Sequence, residues 1–90
     1  MRYEYDPEKS PLNKVKHGID FEEAKALWND ENHIVIDSAY KAEQRSLAVG
    51  CIDGACWVAV ATCRMDAIRI ISCRRARKKE EALYAQKYSC

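Results

Sequence analysis

Arginine is the residue type in this sequence that most strongly suggests chemistry. Residues 64–79 carry seven basic side chains against Asp66 alone, whereas the whole 90-residue chain has a net charge of only +1. A guanidinium group suits phosphate because its planar fork donates two parallel hydrogen bonds and stays charged at neutral pH. The basic block therefore indicates either a phosphate-binding surface or an ordinary solvated helix start, and the residues alone leave both interpretations open.

Some of these arginines belong to a segment with the pattern of a strand, residues 67–74. Strict alternation along a strand predicts that Arg69 and Arg74 lie on opposite faces. An arginine in the middle of a strand needs a partner or a groove, because burying its charge unpaired is costly. The structural alternative is an internal ion pair, for example of Arg69 with Glu43 or Glu80.

RNA cleavage is one reaction that such cations can support without a metal ion. The neighbouring 2′-hydroxyl attacks phosphorus, a base removes its proton, cations stabilise the developing charge and an acid protonates the leaving oxygen. His17, Glu80 and Tyr84 are the remaining side chains that suit this chemistry. Glu80 and Tyr84 are four residues apart, so they share a helix face, but packing and a surface salt bridge explain them equally well.

Other kinds of site find little support in the sequence. His17 and His33 have no metal-ligand partner at helical spacing, and the three glycines fit no phosphate-binding loop, so no metal or other cofactor is expected. The five cysteines are odd in number and contain no C-x-x-C pair, which argues against a disulfide framework. We expect reduced structural thiols, with four of them buried in apolar strands: Cys51, Cys56, Cys63 and Cys73.

Length and composition predict one small folded domain spanning residues 1–90. Apolar residues make up 48% and charged residues 32%, which is typical of a globular chain. The first residues are charged and no apolar run is long enough to cross a bilayer, so a cytoplasmic location is expected. Because a chain of this size has a shallow core, we also expect uncovered apolar surface on the sheet or the final helix to receive a partner.

The N-terminal third is predicted to form two helices after a short edge strand near Arg2–Tyr5. The first helix begins at Asp6-Pro7 or at Ser10-Pro11 and ends at Gly18. Its apolar contacts are expected from Leu12 and Val15. The second helix begins with a capping box, and its apolar face has helical spacing. The capping residues are Asp20 and Glu23, and the apolar residues are Phe21, Ala24, Leu27 and Trp28.

From residue 33 onward the hydrophobic pattern has the period of a strand. Four strands are predicted, with a polar loop at Ser38–Glu43, a tight hairpin at Asp53-Gly54, a second hairpin through Arg64–Asp66 and a final helix from about Ala76. The strands are Ile34–Ile36, Ser46–Ile52, Cys56–Cys63 and Ala67–Arg74. The predicted fold class is α+β, with two N-terminal helices, an antiparallel sheet of three to four main strands and a C-terminal helix.

Motifs along most of the chain resemble one protein family, the BrnT toxins of bacterial type II toxin–antitoxin systems. Each motif is weak by itself, and the order and spacing carry the resemblance. The motifs are Tyr5-Asp6-Pro7, Asn13, Lys16-His17-Gly18-Ile19, Phe21-Glu22-Glu23-Ala24, Glu43 and Arg45 before Gly50, Arg69-Ile70-Ile71-Ser72 with Arg74 and Ala76, and finally Glu80 with Tyr84.

The resemblance implies a RelE-like fold and a ribonuclease that cleaves RNA without metal and arrests growth. It also implies neutralisation by a BrnA-like antitoxin with a ribbon-helix-helix domain, through which the complex binds operator DNA. On this basis the arginines would hold phosphate, His17 or Glu80 would transfer protons, and Tyr84 would contact RNA. The catalytic candidates are His17, Arg45, Arg69, Arg74, Glu80 and Tyr84, and the RNA-binding candidates are Lys16, Arg75, Arg77 and Lys78.

Three positions depart from the family pattern. Cys73 stands where alanine is usual, Pro11 replaces a helix former, and Arg77 stands where Ser or Thr would cap the last helix. The alternative hypothesis is a catalytically inactive toxin homologue that binds an antitoxin or nucleic acid.

Overall fold

The computed structural model describes residues 2–38 and 45–88, which form an α+β fold built on one five-stranded sheet. The strand order is β1-β5-β4-β3-β2. In chain order the elements are β1 (Arg2–Glu4), α1 (Lys9–His17), α2 (Phe21–Ala24), a 3-10 helix (Lys25–Asn29), β2 (Ile34–Ser38), β3 (Arg45–Ile52), β4 (Ala55–Arg64), β5 (Ala67–Arg75) and α3 (Lys78–Tyr88).

The predicted α+β class is confirmed, and the short edge strand and the four main strands all form, but the sheet is not purely antiparallel as predicted. The sheet is mixed, because β1 precedes the helices and pairs in parallel with β5, at Arg2–Ala67, Tyr3–Ile68 and Glu4–Arg69. The other three pairings are antiparallel. Of the predicted polar loop Ser38–Glu43, Ser38 belongs to β2, and the remaining residues lie outside the described residues.

The main core lies on one face of the sheet, which we call the covered face because α1, α2 and the 3-10 helix pack against it. Phe21 and Leu27 from these helices are at most 1% exposed and meet buried side chains of β4 and β5. Gly50 lets the 3-10 helix approach β3, since an added Cβ would lie 3.1 Å from Leu27 Cδ2 and 3.2 Å from the Leu27 carbonyl oxygen.

The first helix attaches through polar side chains, so the prediction that Leu12 and Val15 supply its contacts is wrong. Those residues are 66% and 88% exposed, whereas Ser10 and Asn13 are buried. The Asn13 Nδ2 group donates to the carbonyl oxygen of Cys73 at 2.9 Å, and the Cys73 backbone N–H donates to Asn13 Oδ1 at 3.3 Å. β1 pairs only with the first residues of β5, so the Cys73 backbone groups have no strand partner on that side. Asn13 supplies the hydrogen bonds that these groups would otherwise lack.

The predicted local signals around the second helix are confirmed. Gly18 ends α1 in the left-handed region with φ of 86°. Asp20 accepts from the Glu23 backbone N–H, and the Glu23 side chain accepts from the Asp20 backbone N–H, so the capping box is complete. The α-helical part is short, because the chain tightens into the 3-10 helix at Lys25.

Both predicted hairpins form, and each turn has two residues. Asp53 and Gly54 have φ of 49° and 83°, as a type I′ turn requires. The second turn consists of Met65 and Asp66, because β4 extends through Arg64. The final helix begins at Lys78, two residues later than predicted. Among the helices of the described residues, none is both long and apolar enough to span a membrane.

Candidate functional site

A β-bulge in β5 brings arginines onto one face of the sheet. Ile71 has no partner on β4, because Ala61 pairs with Ile70 and Val60 with Ser72. Strict alternation is therefore broken, and the prediction that Arg69 and Arg74 lie on opposite faces is wrong. Three residues of β5 share the face opposite the covered face, which we call the open face: Arg69, Ser72 and Arg74.

The open face contains a cleft of about 340 Å³ with three guanidinium groups around it. Arg45 comes from the start of β3, Arg74 from β5, and Arg77 from the turn before α3. We call this site the arginine cleft. Its other lining residues are Leu47, Val60, Ile71 and Ser72. Arginines that are distant along the chain thus meet at one concave surface.

Arg74 forms a two-pronged ion pair with Glu80. Its Nη1 and Nη2 groups donate to Glu80 Oε1 and Oε2, each at 2.8 Å, and Nη1 also donates to the Arg75 carbonyl oxygen at 3.2 Å. A guanidinium group has five N–H donors. Among the described residues three are used, which leaves Nε–H and one Nη2–H for a ligand.

Glu80 also fixes the start of α3. Its Oε1 accepts from the Arg77 backbone N–H at 2.8 Å. Glu80 is the third residue of α3, so its side chain satisfies a backbone N–H group at the helix start, although the Arg77 side chain cannot act as a cap. The hydrogen bonds from Arg74 hold the pKa of Glu80 below its usual value, and those from Glu80 raise the pKa of Arg74. Glu80 is therefore a stable carboxylate that orients Arg74 and anchors α3.

Tyr84 forms a second attachment of α3, away from the arginine cleft. Its hydroxyl donates to Asp30 Oδ2 at 2.6 Å, and the same oxygen accepts from the Cys51 backbone N–H at 2.9 Å. The hydrogen bond to Asp30 raises the pKa of Tyr84. Although burial acts in the opposite direction, the hydrogen bonds from Tyr84 and two backbone N–H groups lower the pKa of Asp30.

The remaining candidates are spread over other parts of the molecule. Lys16 and His17 are at the end of α1 on the covered side, and the neighbouring Gly18 lies against Trp57. Arg75 is on the covered face too, with its guanidinium carbon 5.3 Å from the centre of a Trp57 ring.

Arg69 and Lys78 fall outside the lining of the cleft as well. Arg69 is on the open face, opposite Thr62, and Lys78 is exposed at the start of α3. Of the proposed partners for Arg69, Glu80 is paired with Arg74, and Glu43 lies outside the described residues.

A second, more apolar pocket of about 300 Å³ adjoins the arginine cleft, and we call it the α3 pocket. Arg77 and Leu47 line both sites. The other lining residues of the α3 pocket are Ile36, Lys79, Glu80 and Leu83. Leu83 is 39% exposed, so α3 covers the open face only in part.

Sequence reasoning missed two polar residues of this region, Ser72 and Asp30. Ser72 is two residues from Arg74, so strand alternation already places it on the face of the cleft, and this was the signal that could have found it. Asp30 lies in a polar run, Asn29–Asn32, which by itself indicates only the end of a helix. Asp30 Oδ1 accepts from the Asn32 backbone N–H at 2.9 Å, which is the local turn role that such a run does predict.

The prediction that four thiols are buried is correct only for Cys73. Cys73 is fully buried, and burial raises its pKa to about 12. Cys51 and Cys56 are half-buried, and Cys63 is exposed. Across residues 2–38 and 45–88, no group of three or more histidine, cysteine or acidic side chains is arranged to hold a metal ion.

Comparison with known families identifies the family to which the chain belongs. Residues 5–80 match the model of a family described as the ribonuclease toxin, BrnT, of type II toxin–antitoxin systems. The chain belongs to the BrnT toxin family. The match contains His17 and the three arginines of the cleft, and it ends at Glu80, so Tyr84 lies beyond it.

Membership in the BrnT family gives the chain its general function, that of a ribonuclease toxin of a type II toxin–antitoxin system. Such a toxin acts on RNA and has an antitoxin as its partner. A search of curated protein sequences gives no match.

Proposed function

We propose that this BrnT-family chain is a metal-independent endoribonuclease and that the arginine cleft holds the phosphodiester group to be cleaved. The observation that supports this most directly is the meeting of Arg45, Arg74 and Arg77 around one cleft. Cations fixed around a reacting phosphate stabilise the charge that builds up when the 2′-hydroxyl attacks phosphorus. The reaction takes place where the RNA is, in the cytoplasm.

The residues of the cleft have different roles in this proposal. Arg74 binds a phosphate oxygen through the two N–H donors that Glu80 and the Arg75 carbonyl leave unused, and Arg45 and Arg77, which also line the cleft, bind the other oxygens. Glu80 is a positioning residue, because its lowered pKa makes it a poor proton carrier near neutral pH. The 2′-hydroxyl proton therefore passes to water, the leaving 5′-oxygen takes a proton from water, and rate enhancement comes mainly from charge stabilisation.

Basic residues outside the cleft extend the RNA-binding surface. Arg69 continues the open face along β5, and Lys78 is exposed at the start of α3. Three further basic residues lie toward the covered side and would contact a part of the RNA that flanks the cleaved bond: Lys16, His17 and Arg75. His17 is therefore given no proton-transfer role at the cleft.

The test is cleavage of a single-stranded RNA by purified protein in EDTA. We expect cleavage to continue and to leave 2′,3′-cyclic phosphate ends, because the 2′-hydroxyl is the nucleophile. Arg45→Gln should slow cleavage about 10²–10³-fold, the loss typical of removing one charge-stabilising donor. Lys9→Gln, a matched change on the exposed surface of α1, should stay within about twofold. Intact RNA in EDTA would contradict the proposal.

The Arg74–Glu80 pair also favours a second candidate function, an inactive toxin homologue that only binds an antitoxin or nucleic acid. A guanidinium fork filled by a carboxylate is already satisfied without phosphate. The two functions differ in one measurement. An inactive homologue would bind the RNA, lose that binding in Arg45→Gln, and leave the RNA uncut at any protein concentration.

We further propose that the antitoxin is BrnA-like, with a ribbon-helix-helix domain, and that operator DNA is bound only through it. The α3 pocket supports an antitoxin contact on the open face, since Ile36, Leu47 and Leu83 leave apolar surface beside the cleft. An antitoxin placed there would cover the arginines that hold RNA. Because the antitoxin would bind only the folded chain, it would also raise the melting temperature of the chain.

Two matched leucine variants test this contact. Leu83→Asp, on α3, should weaken antitoxin binding at least about tenfold, because it places a charge in an apolar contact. Leu12→Asp, on exposed α1, should leave binding unchanged. Equal binding by both variants would place the antitoxin elsewhere, and an operator shift by the toxin alone would contradict the role given to the antitoxin.

A further inference from the structure

Two thiols meet across the β3–β4 hairpin. Cys51 and Cys56 are directly opposite each other in the register, and their Sγ atoms are 2.9 Å apart. The Ile52–Ala55 pair separates them from the Asp53-Gly54 turn at the tip of the hairpin. Neither residue was singled out by the sequence pattern, because their spacing is not C-x-x-C.

The backbone around this pair suits a disulfide. The Cys51 N–H donates to Asp30 Oδ2, and the Cys56 carbonyl oxygen accepts from the Ala76 N–H, so both groups point away from the partner strand. The pair is thus of the non-hydrogen-bonded kind, in which the Cα atoms of antiparallel strands are about 4.5 Å apart. That distance is within the range that a disulfide spans.

Other described thiols are poorly placed to compete. Cys73 is fully buried in the covered-face core. Cys63 is exposed but lies seven residues from Cys56 along β4, roughly 24 Å at the rise of an extended strand. Cys51 and Cys56 are half-buried, so a small oxidant has access to them.

We propose that Cys51 and Cys56 are a redox modification site, which a low-molecular-weight disulfide such as oxidised glutathione converts reversibly into a cross-strand disulfide. The site requires only the β3–β4 hairpin, so it does not depend on the proposed ribonuclease mechanism. In a reducing compartment such bonds form transiently and report on the redox state.

The reaction proceeds by two thiol–disulfide exchanges. The Cys51 thiolate attacks one sulfur of the small disulfide, which forms a mixed disulfide and releases one thiolate. Cys56 then loses its proton to solvent, and its sulfur attacks Cys51 Sγ, which forms the cross-strand bond and releases the second thiolate. Both released thiolates take protons from solvent, so two protein thiols are oxidised while one small disulfide is reduced to two thiols.

The order of attack follows from the surroundings of Cys56. Burial and the neighbouring Cys51 thiol raise the pKa of Cys56 to about 12, so it stays protonated near neutral pH. A protonated thiol is not a nucleophile. Cys56 therefore acts second, when the mixed disulfide on Cys51 lies directly opposite it.

The experiment equilibrates folded Cys63→Ser protein with glutathione buffers of graded redox ratio, then traps free thiols by alkylation. A protease that cleaves before Asp53 separates Cys51 from Cys56, so their disulfide joins two peptides that come apart on reduction. Linked peptides are expected from the folded protein. The ratio of oxidised to reduced glutathione at half-oxidation should be at least about tenfold lower for the folded protein than for the same variant unfolded in urea, because the hairpin holds the thiols together.

Single replacements serve as controls. Cys51→Ser and Cys56→Ser, each in the Cys63→Ser background, should give no linked peptides, and Cys51→Ser should take up glutathione more slowly than Cys56→Ser. Circular dichroism checks that each variant is folded. The proposal is overturned if the folded protein yields no linked peptides, or if folded and unfolded protein are half-oxidised in the same buffer.

Discussion

The helices on the two faces of the sheet are attached by different kinds of contact. On the covered face, Phe21, Leu27 and Ala59 are at most 1% exposed, and the contacts are apolar. On the open face Val49 and Val58 are fully buried as well, but α3 is also held by the Arg74–Glu80 ion pair and by the Tyr84–Asp30 hydrogen bond, beside clefts that remain open. Apolar packing on one side thus leaves the other side available for charged groups and a ligand.

The largest expected effect is on the covered face, where Phe21→Ala should destabilise the fold by about 3–5 kcal/mol. Removing this fully buried ring leaves a cavity between α2 and β5, against Ala61, Ile68 and Ile70. Denaturant unfolding gives the free energy. The matched change on the open face is Leu83→Ala, for which we expect a loss below about 1 kcal/mol because the side chain is 39% exposed. Equal losses would contradict the contrast between the faces.

On the open face the largest effect should be on activity. Arg74→Lys keeps the positive charge but loses the planar fork, so RNA cleavage is expected to fall about 10²–10³-fold. Arg74→Ala is the weaker test, because it leaves the carboxylate of Glu80, which is only 11% exposed, without its partner. Cleavage rates are compared at equal folded fraction, checked by circular dichroism. Unchanged cleavage by Arg74→Lys would remove Arg74 from the site.

Local features of the fold were predictable from sequence because neighbouring residues determine them. The capping box of Asp20 and Glu23, the end of α1 at Gly18 and the Asp53-Gly54 turn each require particular side chains at short spacing. All three are confirmed.

What depends on tertiary contacts was not predictable. The parallel pairing of β1 with β5 joins segments about 65 residues apart, with Arg2 opposite Ala67. The attachment of α1 through Asn13 depends on backbone groups of Cys73 in β5 that have no strand partner, and no local pattern shows which groups those are.

The candidate site shows the same division. The arginines were recognised from their type and density, but Arg45, Arg74 and Arg77 meet through the pairing of β3, β4 and β5 and the turn into α3, which no short spacing predicts. The bulge at Ile71 has a separate effect, because it places Arg69 on the same face as Arg74, whereas alternation predicted opposite faces. An internal ion pair of Arg69 with Glu43 or Glu80 was considered as the structural alternative, whereas the helix start at Arg77 directs Glu80 to Arg74. Composition thus indicated the chemistry, and the pairing of the strands determined which residues lie together at the cleft.

A smaller effect should appear in the pH dependence of stability. Hydrogen bonds from Arg74 keep the pKa of Glu80 in the folded state below 4.5, so its contribution is present above pH 4.5 and is lost as the pH falls through the folded-state pKa. Glu80→Gln should cost about 1.5–3 kcal/mol at pH 7. This cost should shrink below pH 4.5, as measured by urea unfolding at several pH values. A cost that is the same at pH 7 and pH 3 would argue against the charged pair.

The smallest effect is expected for Tyr84→Phe, which removes one hydrogen bond at the other attachment of α3. Asp30 keeps its hydrogen bonds from the Cys51 and Asn32 backbone N–H groups, so its carboxylate remains satisfied and the cost should be only about 1 kcal/mol. Because Tyr84 is remote from the arginine cleft, cleavage at saturating folded protein should stay within about twofold. Amide hydrogen exchange in α3 should become faster while exchange in α2 is unchanged. Loss of cleavage with unchanged stability would instead assign Tyr84 to RNA contact.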